Sequence, residues 1–176
     1  TRECRRDPSV LVLGLGNRLL GDDAAGPLVV DALAASGRAG SALLRDGGTI
    51  GLSLLPDIED AAALIAVDAA EFDAPPGAVR VFEGAAMDRQ LGGRKRSAHE
   101  VALFDLMAAA ELCGRLPARR ALVAVQPAST ALTLQPTPEV AAAIPALCEA
   151  VQELVTRWTP ALITPSPAPL QETAHE

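Results

Sequence analysis

Uninterrupted apolar runs alternate along this chain with segments whose apolar residues recur at helical spacing. Residues 10–14 form an all-apolar run closed by glycine, the pattern of a strand covered on both faces. Residues 25–36 carry Leu28, Val29, Ala32 and Leu33 on one helical face and stop before Gly37, a residue suited to a helix C-cap. A short strand over 42–45 should run into the Asp46-Gly47-Gly48-Thr49 turn, followed by a short helix over 52–58. Residues 63–67 predict a second buried strand that ends at Asp68.

After the Pro75-Pro76-Gly77 turn comes a strand over 78–82, and so short a link implies antiparallel pairing. Residues 87–96 read as a polar, basic loop containing Arg89, Arg94, Lys95 and Arg96. Ser97 and Glu100 have capping-box spacing at the head of an apolar helix that reaches Leu112, with Gly114 closing it. The last strand falls at 121–125. The last helix spans 138–158, with Pro145 expected to kink it. This order predicts an α/β three-layer sandwich, with a mixed, mostly parallel twisted sheet of about five strands flanked by helices. It divides the chain into a short extension (1–9), a single domain (10–158) and a tail rich in Pro, Ser, Thr and Ala (159–176) expected to be disordered.

Composition narrows the picture. Hydrophobic residues make up 49% of the chain but aromatics only 2%, so Ala, Leu and Val must fill the core. A formal charge of −7 argues against nucleic acid or an anionic membrane as partner. No apolar run reaches the ~20 residues of a membrane-spanning helix. The basic start reads as a short extension before a first strand rather than as a secretory signal, because Gly14, Gly16, Asn17 and two aspartates break the apolar stretch behind it. Cys4, Cys113 and Cys148 are too far apart for a disulfide framework or a zinc site. Cys113 and Cys148 are expected to be small buried residues of a cytoplasmic, monomeric protein.

The candidate chemistry lies where strands end. Gly14-Leu15-Gly16 begins like a dinucleotide fingerprint, but Leu19 stands where the third glycine belongs, and Asp22 and Asp23 would oppose a pyrophosphate. Asp46 alone mimics the ribose-binding acid. There is no G-x-S-x-G elbow and no phosphate-binding G-K-[ST]. His99 and Cys113 sit at opposite ends of one helix, roughly 20 Å apart at 1.5 Å per residue, and cannot form a dyad. His175 lies in the tail.

In a parallel sheet, strand C-termini and helix N-termini share an edge, which brings Asp23, Asp68 and His99 together. Two carboxylates and an imidazole suit a borderline divalent metal such as nickel or zinc, although each acid could equally be a helix cap. Asp22 is read as the cap of the first helix. The turn at 46–51 suits either a tight bend or a substrate contact, and the basic run could grip a carboxylate.

The segments G-L-G-N-R-L-L-G-D-D-A-A-G (14–26), D-G-G-T-I-G (46–51), L-I-A-V-D-A (64–69) and S-A-H-E-V-A-L-F-D-L (97–106) occur in this order, followed by Q-P-A-S and Q-P-T-P-E-V within 126–140. From about Val10 to Arg157 the chain resembles the hydrogenase maturation endopeptidases. That resemblance implies an aspartic-type peptidase that removes the C-terminal extension of a nickel-loaded [NiFe]-hydrogenase large-subunit precursor. Nickel would arrive with the substrate rather than reside in the enzyme. Asp23, Asp68 and His99 match the family's metal-contacting and catalytic positions. The chain departs from the family pattern at Ala24, where glycine is frequent, and over 131–136. Two other readings stand beside it: a non-catalytic nickel-sensing chaperone of the large subunit, and a nucleotide-binding domain.

Overall fold

The structure is a computed structural model that describes residues 7–48, 51–93 and 98–163. Five strands, β1 (Asp7–Leu15), β2 (Leu43–Gly48), β3 (Ala61–Ala69), β4 (Val79–Glu83) and β5 (Arg119–Val125), form one sheet in the order β2-β1-β3-β5-β4. Every neighbouring pair is parallel except β4 with β5, as the short link before β4 requires. The helices are α1 (Ala25–Ser36), α2 (Leu55–Asp60), α3 (Ala85–Leu91), α4 (Ala98–Leu112) and α5 (Pro138–Ile163). The expected three-layer architecture is the one observed.

Strand alternation divides the core in two. Val10, Val12, Ile65, Val67 and Val123 meet α1 and α5 through Val29, Leu33, Leu147, Val151 and Trp158. Leu11, Leu13, Leu64, Ala66 and Leu122 face the other way, against Ile58 of α2, Met87 and Leu91 of α3, and Leu103 and Leu106 of α4. Each fully buried Leu, Ile or Val stabilises the fold by roughly 1.5–3 kcal/mol. Leu, Ile, Val and Ala do supply most of this core.

Several boundaries differ from expectation. β1 starts at Asp7, which pairs with Ala61, so residues 7–9 belong to the sheet and not to an extension. Part of the expected loop over 87–96 is α3: Gly84, with φ of 51°, turns the chain, and Met87 and Leu91 then bury one helical face completely. Arg94, Lys95, Arg96 and Ser97 lie outside the described residues, as do Thr49 and Ile50. α5 runs through Pro145 without interruption and continues past 158 to Ile163, held by its apolar face on the sheet. The remainder of the expected tail, 164–176, lies outside the described residues. Cys148 is buried as expected, but Cys113, just beyond the end of α4, is exposed. Among the described residues no helix is long and apolar enough to cross a membrane.

Candidate functional site at the carboxyl edge of the sheet

Consecutive helices α1 and α2 cover opposite faces of the sheet, so the chain leaves β1 and returns to β3 on either side of a switch point. Open α/β sheets bind ligands in the crevice outside the strand ends at such a point. Here β1 leads into a 3-10 turn, Gly21–Ala24, that carries Asp22 and Asp23. Asp68 is the penultimate residue of β3, and His99 is the second residue of α4. All four side chains are buried, His99 the least at 9% exposure.

Glycines let the turn sit directly on the strands. Gly16 has φ of 134°, and a Cβ there would overlap the Asp23 carbonyl. A Cβ on Gly26 would overlap the carbonyl oxygens of Leu15 and Val67, where α1 rests against β1 and β3. The glycine pattern that superficially suggested a dinucleotide loop thus serves close backbone packing. Asp46 is also engaged otherwise: it accepts hydrogen bonds from Arg18 and from the Gly48 N–H, and Arg18 in turn forks onto Asp31.

Asp23 and His99 form a direct pair. His99 Nε2 lies 3.0 Å from Asp23 Oδ2, which also accepts the Asn17 N–H at 2.8 Å. The Asp23 hydrogen bond raises the imidazole pKa above its ordinary value, outweighing the opposing effect of burial. Burial pushes Asp23 upward, yet the His99 bond, the Asn17 N–H and the imidazolium charge together hold it below the usual carboxylate value. The pair is therefore a carboxylate and an imidazolium across the pH range between them.

Asp68 is in the opposite condition. It is fully buried, and neither oxygen makes a well-formed hydrogen bond among the described residues. Desolvation drives its pKa well above the carboxylate range. The charge of His99 opposes this, the charges of Glu100 and Asp23 add to it, and the Ala69 N–H pulls only weakly the other way. Glu100, expected in a capping box, is itself 1% exposed and close enough to act on both His99 and Asp68.

Asp22 does not cap a helix: neither the 3-10 turn nor α1 has a side-chain cap. Its carboxylate instead accepts the backbone N–H groups of Ala128, Ser129 and Thr137 and the Thr137 hydroxyl. Those donors outweigh the effect of burial and keep it ionised below its usual pKa. No sequence signal could have revealed this role, because most of the partners are main-chain groups.

The donor set of two carboxylates and an imidazole fits a borderline divalent cation. Among the described residues, however, no three His, Cys, Asp or Glu side chains already converge on a common point. The expected trio is gathered at one place, with two of its members bonded to each other.

This fold and edge define an α/β protein with a buried acid–histidine pair at its sheet switch point. The family model described as hydrogenase maturation protease matches residues 27–154, a stretch that holds Asp68 and His99 and begins just after Asp23. The chain belongs to the hydrogenase maturation protease family. It is 39% identical over 119 residues to the hydrogenase expression/formation protein HupD of Rhodobacter capsulatus, covering 67% of this chain and 57% of that protein. It is 36% identical over 141 residues to the hydrogenase 2 maturation protease of Escherichia coli K12, covering 78% and 85% of the two chains. The structure of the E. coli hydrogenase maturating endopeptidase HybD superposes with a TM-score of 0.78 at 31% identity, over 85% of this chain and 93% of that one. The chain spans 56% and 57% of the length of the HupD proteins of Thiocapsa roseopersicina and R. capsulatus.

Proposed function

We propose that this chain is an endopeptidase that trims the C-terminal extension from a nickel-loaded hydrogenase large-subunit precursor. The observation that carries this reading is the buried Asp23–His99 pair beside the desolvated Asp68, at the edge where this fold binds ligands. Family membership and the likeness to HybD support it.

On this reading the nickel belongs to the substrate and is read by Asp23, Asp68 and His99. Its arrival exchanges a proton for a metal ion. Asp23, Asp68 and His99 would hold the cation through carboxylate oxygens and an imidazole nitrogen, and the proton shared by Asp23 and His99 would pass to solvent water. A cation would also relieve Asp68, whose charge is disfavoured by burial and by the neighbouring Glu100 and Asp23 carboxylates. Nickel thus acts as a checkpoint that orients the extension, and hydrolysis by water requires no nucleophilic side chain. Either the metal polarises the reacting groups or a carboxylate such as Asp23 takes the proton from water.

The test is incubation with nickel-loaded precursor, followed by mass spectrometry of the large subunit. Loss of the C-terminal peptide is expected, and precursor without nickel should remain whole. Asp23→Asn, Asp68→Asn and His99→Ala should each slow cleavage by about 100-fold or more, the scale of a lost acid–base or metal contact. Intact precursor held in a stable complex would establish a nickel-sensing chaperone instead. Normal cleavage by all three variants would remove these residues from the site.

A further inference from the structure

The segment 126–137 leaves β5 and crosses the carboxyl edge as a strap before α5 begins. It is sewn to the 3-10 turn by main-chain bonds from Gly21 N–H to the Thr133 carbonyl, from Asp22 N–H to the Ser129 carbonyl, and from Thr133 N–H to the Leu19 carbonyl. At the centre of the seam is the fully buried Asp22 side chain. Oδ1 accepts the Thr137 N–H at 2.6 Å, and Oδ2 accepts the N–H groups of Ala128 and Ser129 at 2.8 and 2.9 Å. The Thr137 hydroxyl lies 2.9 and 3.0 Å from the two oxygens and shares its hydrogen between them.

Successive side chains in a 3-10 turn point about 120° apart, since three residues complete one turn. Asp22 therefore faces the strap while Asp23, on the same rigid turn, faces α4. Any rotation of the turn moves both. Among the described residues Asp23 has no comparable set of bonds of its own: apart from His99, its carboxylate meets the Asn17 N–H.

We propose that Asp22 is a positioning residue, which fastens the strap to the turn and thereby aims the Asp23 carboxylate at His99. This assignment rests on the peptidase reading only for its kinetic consequence. Its structural consequence can be measured in the free protein.

Asp22→Asn is nearly isosteric, but whichever way the amide is turned, its NH2 group faces backbone N–H donors. The seam must then loosen. The chain has two histidines, so in a His175→Gln background every imidazole signal in the proton NMR spectrum belongs to His99. At fixed pH the His99 ring signals should move in Asp22→Asn, and should move less in Thr137→Val, which removes only the hydroxyl donor. Arg120→Gln is the control: it breaks the Arg120–Asp88 pair at the opposite end of β5, so it destabilises the fold while leaving the His99 signals and the cleavage rate at wild-type values. With nickel-loaded precursor, kcat of Asp22→Asn should fall at least about tenfold while KM stays within about twofold, as a misaimed group predicts.

If the His99 signals of folded Asp22→Asn superimpose on wild type, the proposal is overturned. If that variant does not fold, the same result in Thr137→Val overturns it. Failure of the wild-type chain to cleave precursor would overturn the peptidase reading instead, and the ring signals would still decide the role of Asp22.

Discussion

Asp68 is a carboxyl group at zero exposure with no well-formed hydrogen bond among the described residues, and such burial costs stability unless something compensates. Its folded pKa is raised, so above the ordinary carboxylate value the unfolded chain releases a proton that the folded chain retains. Stability then falls as pH rises through that window, and the cost vanishes below about pH 4, where both states are protonated. Asp68→Asn removes the titration. It should stabilise the protein by about 1–2 kcal/mol at pH 7, in the range typical of replaced functional residues, and by much less at pH 4. Urea midpoints at the two pH values test this; a loss of stability at both would show that the carboxyl has a structural partner. The same residue was legible as a candidate from topology alone, since a polar residue closing an apolar strand faces the ligand edge. Asp22 was not, because chain spacing cannot show which of two adjacent acids faces main-chain donors more than a hundred residues away.

The joint between α1 and the two central strands depends on one missing side chain. Ala is a better helix former than Gly by about 1 kcal/mol. In Gly26→Ala, however, the new Cβ meets two carbonyl oxygens, of Leu15 and Val67, and main chain cannot rotate aside. The clash should win, with a net loss of about 3 kcal/mol and a melting temperature lower by roughly 10 °C for a domain this size. Calorimetry checks it; an unchanged or higher value would mean that α1 can lift from the sheet without cost. Helix α1 was readable in full because its apolar face and its Gly37 cap coincide. Helix α3 was not, since Met87 and Leu91 form a single i, i+4 pair among Asp, Arg and Gln, too few points to define a period. The end of α5 was obscured by Thr159 and Pro160, residues that composition assigns to a tail although the helix continues through them.

The shifted groups combine into a pH profile for the whole molecule. Asp22 and Asp23, held below their usual value, contribute stability that is present above the ordinary carboxylate pKa and lost as pH falls through their depressed pKa values. His99, held above its usual value, contributes stability that is complete below the ordinary imidazole pKa and lost as pH rises through its raised value. Asp68 tilts the curve the same way as His99. Melting temperature should therefore peak at mildly acidic pH, between about 4 and 6.5, and decline toward alkaline pH. Asp68→Asn should lessen the alkaline decline, whereas His99→Gln should also weaken the acid limb, because Asp23 loses the hydrogen bond and the charge that hold its pKa down and Asp22 is left to carry that limb. A wild-type optimum above pH 8 would contradict the pairing of His99 with Asp23.

The seam around Asp22 also has a bearing on time. It joins residue 22 to partners 106 to 115 positions later in the chain. Contacts of such separation form late, because the intervening chain must first be brought to closure. During synthesis β1 and its turn emerge early, yet Asp23 has no imidazole to meet until α4 arrives, and Asp22 has no donors until the strap follows β5. The acid–histidine site is thus among the last features to assemble, and a nascent chain carries its parts without its chemistry.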